Sequence, residues 1–206
     1  MKECFNCGKS LPVNASYCYD CTVKAIGQDN MSKYQDMGGW LLFFMIWAIV
    51  ATIMSFVNVF IEIGAISTLR GFPANTIPSS AINLLTINVI MGFVVTVLNV
   101  IYIAQVFNRK NRFLFFYQLA VILGLLTGIL GLIALNMVEG ASGSGRVVWN
   151  LILATAGLLL FTLYYSSSVR VRVYMDNDEY FTKAIFTLKD KDEGFIPIPE
   201  NSEGNV

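Results

Sequence analysis

Long apolar stretches alternate with short polar ones along most of this chain. Four segments contain no Asp, Glu, Lys, Arg or His: residues 40–61, 81–107, 113–138 and 147–165. A membrane-spanning helix needs about 20 apolar residues, and all four segments are long enough. Buried helices of a soluble protein are the alternative, but such helices normally show a polar face and these segments show none. The pattern therefore predicts an all-α membrane protein with four transmembrane helices.

The composition agrees with this prediction and argues against several classes of function. Hydrophobic residues make up 55% of the chain and charged residues only 14%, against about 25% in soluble domains. The formal net charge is zero, so nothing indicates nucleic-acid binding. Histidine, the commonest general base, is absent. Because no catalytic constellation is visible, we expect a protein that is not an enzyme.

The cations that flank the spans predict an orientation. No apolar run precedes Trp40, so no secretory signal is expected. With the N-terminus inside, the inner flanks carry Lys24, Lys33, Arg109, Lys110, Arg112, Arg170, Arg172 and Lys183, and the outer loops carry Arg70 and Arg146. Lys and Arg accumulate in cytoplasmic loops. Both termini should therefore be cytoplasmic, with the transmembrane domain covering residues 38–175.

The residues after the fourth span predict a cytoplasmic tail over 176–206. Alternating valines and arginines over 169–173 fit either a strand or a continuation of the fourth helix, and we favour the helix. Asp176 or Asn177 can cap a further short amphipathic helix. Its apolar stripe comprises Phe181, Ile185 and Leu188. From Asp190 onward the composition predicts disorder.

The only four cysteines of the chain lie at its start. They form Cys4-x2-Cys7 and Cys18-x2-Cys21, with ten residues between the pairs. This spacing is typical of a tetrahedral zinc site. A segment of about 20 residues cannot bury a core of its own. Zinc binding can instead supply about 10 kcal/mol of folding free energy. We predict a structural Zn²⁺ ribbon over residues 1–24 and a linker over 25–37.

Two other interpretations of the cysteines stay open. Disulfide pairing is the weaker one, because the expected compartment is reducing. A redox or iron site is the other, since four thiolates also suit iron. A closed structural site has no coordination position for a substrate, so no catalysis is assigned to it.

Neutral polar residues and glycines occur inside the predicted spans. Asn83, Asn88 and Asn99 lie on the second span, where they could line a polar path or form hydrogen bonds between helices. Gly124, Gly128 and Gly131 give the third span a face of small residues, which lets helix backbones approach closely.

Two segments resemble known families. Cys4-Phe-Asn-Cys7-Gly-Lys-Ser-Leu-Pro12 with Tyr17-Cys18-Tyr-Asp-Cys21 resembles the zinc-ribbon module found at the N-terminus of bacterial membrane proteins. The remainder resembles the domain-of-unknown-function 2569 family of four-span bacterial membrane proteins over about residues 35–175. Gly38-Gly39-Trp40-Leu41 and Tyr164-Tyr165-x-x-Ser168-x-Arg170-Val171 carry that resemblance.

This sequence departs from the two families at two positions. Tyr165 stands where phenylalanine is expected, and Thr22 stands where many ribbons have glycine. The resemblance implies a location in the bacterial inner membrane and supplies no activity.

Three functions remain as hypotheses. The first is a membrane scaffold or adaptor that presents the zinc ribbon to a protein partner, with Arg109, Lys110, Arg112, Arg170 and Arg172 as candidate contacts. The second is a small transporter or channel for a neutral or lipid-like solute. The third is a redox- or metal-responsive sensor. The partner, the oligomeric state and the order of the 62–80 loop do not follow from the sequence.

Overall fold

The computed structural model describes residues 2–11, 17–27, 33–71, 78–137, 144–176, 180 and 183–186. Its elements are β1 (Lys2–Glu3), β2 (Ser10–Leu11), α1 (Tyr19–Ile26), α2 (Gly39–Leu69), α3 (Ser79–Phe107), α4 (Phe113–Asn136), α5 (Ser144–Ser167) and α6 (Val169–Met175). The strands pair antiparallel, with Lys2 opposite Leu11. Four helices, α2 to α5, are long and apolar enough to cross a membrane. The predicted fold class, a four-helix membrane protein with an N-terminal cysteine ribbon, is confirmed.

The chain divides into two compact units. The first comprises Met1–Ile46, Tyr102–Phe115 and Leu160–Val206, and it contains the ribbon, the turn between α3 and α4, and α6. The second comprises Trp47–Ile101 and Phe116–Leu159, which are the longer portions of the four apolar helices.

Helix α2 is longer than the apolar segment that predicts it. It spans 31 residues and continues to Leu69, so Glu62 is helical rather than part of an outer loop. At 1.5 Å per residue the helix measures about 46 Å, more than the ~30 Å thickness of the hydrocarbon layer. The expectation of spans without any ionisable group therefore needs correction, because the first spanning helix carries a carboxylate near its end.

The segment after the fourth span is helical, but it is not a direct continuation of α5. Ser168 is extended, with φ −76° and ψ 118°, and separates α5 from α6. Asp176 has a left-handed φ of 58° and is the C-cap of α6, while Asn177, the other predicted cap, lies outside the described residues. Of the predicted amphipathic helix, Lys183–Phe186 form a turn and a bend. Phe181, Leu188 and the tail from Asp190 lie outside the described residues.

An aromatic cluster fills the interior of the first unit around the fully buried Tyr165. The hydroxyl of Tyr102 donates to Met45 Sδ at 3.7 Å, and the hydroxyls of Tyr102 and Tyr165 hydrogen-bond to each other. The Tyr180 hydroxyl donates to the Tyr165 carbonyl at 3.1 Å, and the Phe113 ring packs 5.3 Å from the Tyr165 ring. The hydroxyl that distinguishes Tyr165 from the expected phenylalanine thus forms a hydrogen bond with Tyr102 inside this cluster.

Small and hydroxyl-bearing residues join the helices of the second unit. Ser55 Oγ lies 3.0 Å from Thr96 Oγ1. A Cβ atom on Gly128 would lie 2.6 Å from Leu151 Cδ2, which is closer than real contacts allow. The close helix packing predicted for the glycine face of α4 is therefore confirmed at Gly128.

The left-handed conformation of Gly39, at the beginning of α2, can be tested by substitution. Its φ is 57°, in the left-handed region, and a Cβ atom there would lie 3.7 Å from Arg170 Nε. A residue with a Cβ atom pays about 1–2 kcal/mol to adopt this left-handed conformation. We expect Gly39→Ala to lower the free energy of unfolding by about that amount, measured as a lower thermal midpoint in detergent.

Gly64→Ala is the matched control. Gly64 lies within α2, and a Cβ atom there would meet no atom within 4 Å. This variant should be neutral or more stable by about 0.5–1 kcal/mol, because alanine is the better helix former. Equal destabilisation by the two substitutions would contradict the conformational argument.

Candidate metal centre and its connection to the first span

The first cysteine pair lies in a tight turn between the two short strands. The Cys4 amide donates to the Lys9 carbonyl at 2.8 Å, and the Gly8 amide donates to the Cys4 carbonyl at 2.9 Å. Gly8 has a φ of 69°, while a Cβ atom there would meet nothing within 4 Å. Glycine is therefore needed for its conformation and not for space.

The second pair lies at the beginning of α1. Cys18 is the N-cap, and its sulfur accepts a hydrogen bond from the Cys21 amide at 3.4 Å. The Cys18 amide in turn donates to Cys4 Sγ at 3.3 Å, which links the two pairs. Thr22, where many ribbons have glycine, is buried and donates its hydroxyl to the Cys18 carbonyl at 3.0 Å.

The four sulfur atoms form a group of the right size for one metal ion. All lie within 4.8 Å of one another, and Cys7 Sγ is 3.6 Å from Cys18 Sγ. A tetrahedral site with bonds of about 2.3 Å needs sulfur–sulfur distances of about 3.8 Å. None of the four cysteines is in a disulfide. The predicted ligand set is thus brought together and can hold a metal ion.

The sulfur atoms also form the interior of the ribbon. Cys4, Cys18 and Cys21 are buried together, and Tyr17 is the partly buried side chain that packs against them. Such an interior removes little apolar surface from water, so it supplies little hydrophobic stabilisation. The stability of the ribbon therefore depends on a link among its sulfur atoms, such as a bound metal ion.

The surroundings of the thiols shift their pKa values in opposite directions. Burial alone would raise the pKa of Cys4, but hydrogen bonds from the amides of Cys18, Asn6 and Cys7 outweigh it and lower the pKa to about 6. Burial raises the pKa of Cys21 to about 12 and also raises that of Cys18. Because metal ligands must be thiolates, binding at neutral pH displaces protons from Cys18 and Cys21.

The ribbon packs on α6 through its own helix. Ile26, at the end of α1, is buried against Val169 and Val173 of α6, and Tyr34 covers this contact. The valines that alternate in the sequence therefore provide the docking face for the ribbon helix.

Arg170 holds the segment that joins the ribbon to α2. Its Nη1 donates to the Lys33 carbonyl at 2.8 Å, and its guanidinium lies 5.2 Å from the centre of the Tyr34 ring. A Cβ atom on Gly38 would lie 3.1 Å from that Nη1. The two short motifs of the family resemblance thus meet, and glycine leaves room for the arginine.

Arg109 makes a second attachment to the same segment. Its Nη2 donates to the Gln35 carbonyl at 3.1 Å, and its guanidinium lies 4.7 Å from the centre of the Tyr174 ring. The Tyr174 hydroxyl donates to the Val106 carbonyl at 3.3 Å. No sequence pattern predicts the roles of Tyr34, Gln35 and Tyr174, because those roles depend on which elements meet in the fold.

The candidate partner contacts fall into three groups. Arg172 is only 1% exposed, so we leave it out of any partner surface. Arg109 and Arg170 bind main-chain carbonyls within the molecule. Lys110 and Arg112 are exposed at the turn between α3 and α4. Partner binding by these residues stays a prediction.

No family model, curated protein or solved structure matches the chain. The resemblances to the zinc-ribbon module and to the four-span family therefore stay predictions.

Cys18→Ser should abolish metal binding without removing the cap of α1. Serine is among the best N-cap residues, so the substitution removes one metal ligand while an oxygen can replace the sulfur that accepts from Cys21. We expect metal content, measured by elemental analysis of purified protein, to fall from about one ion per chain to nearly none.

Lys9→Ala is the control for the metal measurement. It removes the exposed ion pair with Asp20, whose atoms are 3.3 Å apart, and leaves all four sulfurs in place. Full metal retention is expected in this variant. Retention of metal by Cys18→Ser at the wild-type level would refute a four-sulfur site.

Proposed function

We propose that this protein is a non-enzymatic scaffold of the bacterial inner membrane that presents a zinc ribbon to a protein partner in the cytoplasm. The grouping of four sulfurs within 4.8 Å, on a ribbon docked to α6, carries the proposal. Zinc is the metal of choice, because tetrahedral sites of four cysteines are typical of structural zinc. The bias of flanking cations supports a cytoplasmic position for the ribbon.

The turn between Cys4 and Cys7 provides the partner surface of this proposal. Phe5 is 68% exposed and lies 6.0 Å from the Tyr17 ring, centre to centre. Aromatic side chains are enriched in the central contacts of protein interfaces. The metal would hold this turn, and the turn would hold Phe5 outward for the partner.

Crosslinking in native membranes tests the scaffold. Wild-type protein, Phe5→Ser and Cys4→Ser/Cys7→Ser are compared, with zinc measured on each sample. We expect a partner captured by wild type to be lost in both variants, while Phe5→Ser retains its zinc because all four sulfurs remain. Identical captured proteins from all three samples would exclude the ribbon as the binding surface.

A cavity in the second unit supports a solute pathway as a second candidate function. Its volume is about 370 Å³, and the lining residues are Glu62, Leu85, Asn88, Gly124, Thr127, Gly128, Gly131, Leu135 and Val147. Asn88 Oδ1 is buried and has no hydrogen-bond partner within the described residues. Buried polar groups are normally satisfied, so a polar solute or water in the cavity would complete the pairing.

Thiol labelling distinguishes a wet cavity from a dry one. Asn88→Cys should react with a water-soluble maleimide, whereas Ile90→Cys on the same helix should not, because Ile90 is exposed on the apolar surface that lipid covers. Zinc-loaded protein without an introduced cysteine gives the background from the ribbon. Failure of Asn88→Cys to react above Ile90→Cys would eliminate the pathway.

A further inference from the structure

The turn between α3 and α4 lines a strongly basic cleft in the first unit. The cleft has a volume of about 490 Å³ and is lined by Gln105, Arg109, Lys110, Asn111, Arg112 and Lys183. Among the described residues that line the cleft, four side chains are cationic, two are amides and none is acidic. Every lining side chain can donate a hydrogen bond.

Backbone hydrogen bonds define the conformation of this turn at Arg109 and Lys110. The Lys110 amide donates to the Gln105 carbonyl at 2.8 Å, and the Arg109 amide donates to the Val106 carbonyl at 3.0 Å. This pair of bonds is a Schellman motif, whose left-handed position normally holds glycine. Arg109 occupies that position with a φ of 51°. Disfavoured backbone of this kind is concentrated at functional sites.

The contacts of Arg109 fix its guanidinium without neutralising it. Within the described residues, its partners are a main-chain carbonyl, that of Gln35, and the ring of Tyr174. Neither partner carries a formal negative charge, so the arginine keeps its full positive charge beside the cleft.

Lys110 and Arg112 complete the positive field. Both side chains are exposed, and neither makes a hydrogen bond or ion pair with the part of the chain that the structure describes. Like charges that line one cleft repel one another, and a bound anion would offset that repulsion.

The cleft lies immediately beyond two apolar helices. α3 ends at Phe107 and α4 begins at Phe113, so the basic turn directly follows the membrane-spanning segments. Phe107 is 53% exposed beside it. Basic pockets at this position beside membrane helices suit the head groups of anionic lipids.

We propose that this cleft binds a phosphate group, and that the phosphate belongs to the head group of an anionic membrane lipid. Arg109 and Arg112 supply planar guanidinium donors, and Lys110 and Lys183 supply point charges. The neighbouring Phe107 is placed to contact the acyl chains. This assignment goes beyond the scaffold function. It proposes that the exposed cations of the turn bind a lipid, whereas the ribbon binds the protein partner.

Lipid retention by the purified full-length protein tests the site. Wild type and Lys110→Ala/Arg112→Ala are purified with mixed phosphatidylglycerol and phosphatidylcholine, and bound lipid is counted by native mass spectrometry. Two lost cations should weaken phosphatidylglycerol binding roughly 30-fold. The variant should fold normally, since the two side chains hold no other described element; its thermal midpoint in lipid-free detergent checks this.

Lys24→Ala/Arg70→Ala is the matched control, because it removes the same charge from residues outside the cleft. The control should retain phosphatidylglycerol as wild type does. Equal loss of lipid in both double variants would overturn the site, as would equal retention.

Inorganic phosphate separates the two possible sources of the anion. Preferential retention of phosphatidylglycerol that depends on Lys110 and Arg112 supports the lipid. If phosphate alone raises the thermal midpoint with the same dependence, and phosphatidylglycerol is not retained, the lipid assignment is overturned in favour of a soluble phosphate compound.

Discussion

The hydrogen bond from Arg170 to the Lys33 carbonyl fixes the segment before α2 on α6, and the contact between the ribbon helix and α6 lies beside it. The guanidinium reaches the last residues before α2, lies over Tyr34 and passes close to Gly38, where a Cβ atom would lie 3.1 Å from its Nη1. Tyr34 also covers the contact between Ile26 and the valines of α6. Arg170 therefore joins the linker and the beginning of the first span to α6, while the neighbouring valines hold the ribbon helix.

Arginine suits this position for a physical reason. A carboxylate partner would make the contact sensitive to salt, whereas a main-chain carbonyl accepts a hydrogen bond with little dependence on ionic strength. Arg109 repeats the arrangement with the Gln35 carbonyl and the Tyr174 ring. Two arginines from different parts of the chain thus hold two carbonyl groups on either side of Tyr34, which restricts a segment that composition alone presents as a linker. The planar guanidinium can also stack on a ring while it donates, which a lysine cannot do equally well.

The sequence determined the parts of this structure that depend on local pattern. Four apolar segments predicted four helices, and two Cys-x2-Cys pairs predicted four sulfurs in one group. The extent of α2 was missed, because an ionisable residue such as Glu62 ends an apolar run without ending a helix. The roles of Arg109, Arg170 and Tyr174 were missed for another reason. Their partners are distant in sequence. Composition does not distinguish a flanking cation that binds a carbonyl from one that faces solvent.

The cations of the basic turn divide into two kinds, and the division explains how one short segment can serve both structure and binding. Arg109 is held by a carbonyl and a ring, while Lys110 and Arg112 extend from later residues of the same turn. A partner without charge leaves the guanidinium fully positive, so the contact that positions Arg109 does not reduce its attraction for an anion. A carboxylate in place of the Gln35 carbonyl would cancel much of the positive field of the turn. The use of neutral acceptors therefore preserves the charge that the cleft presents.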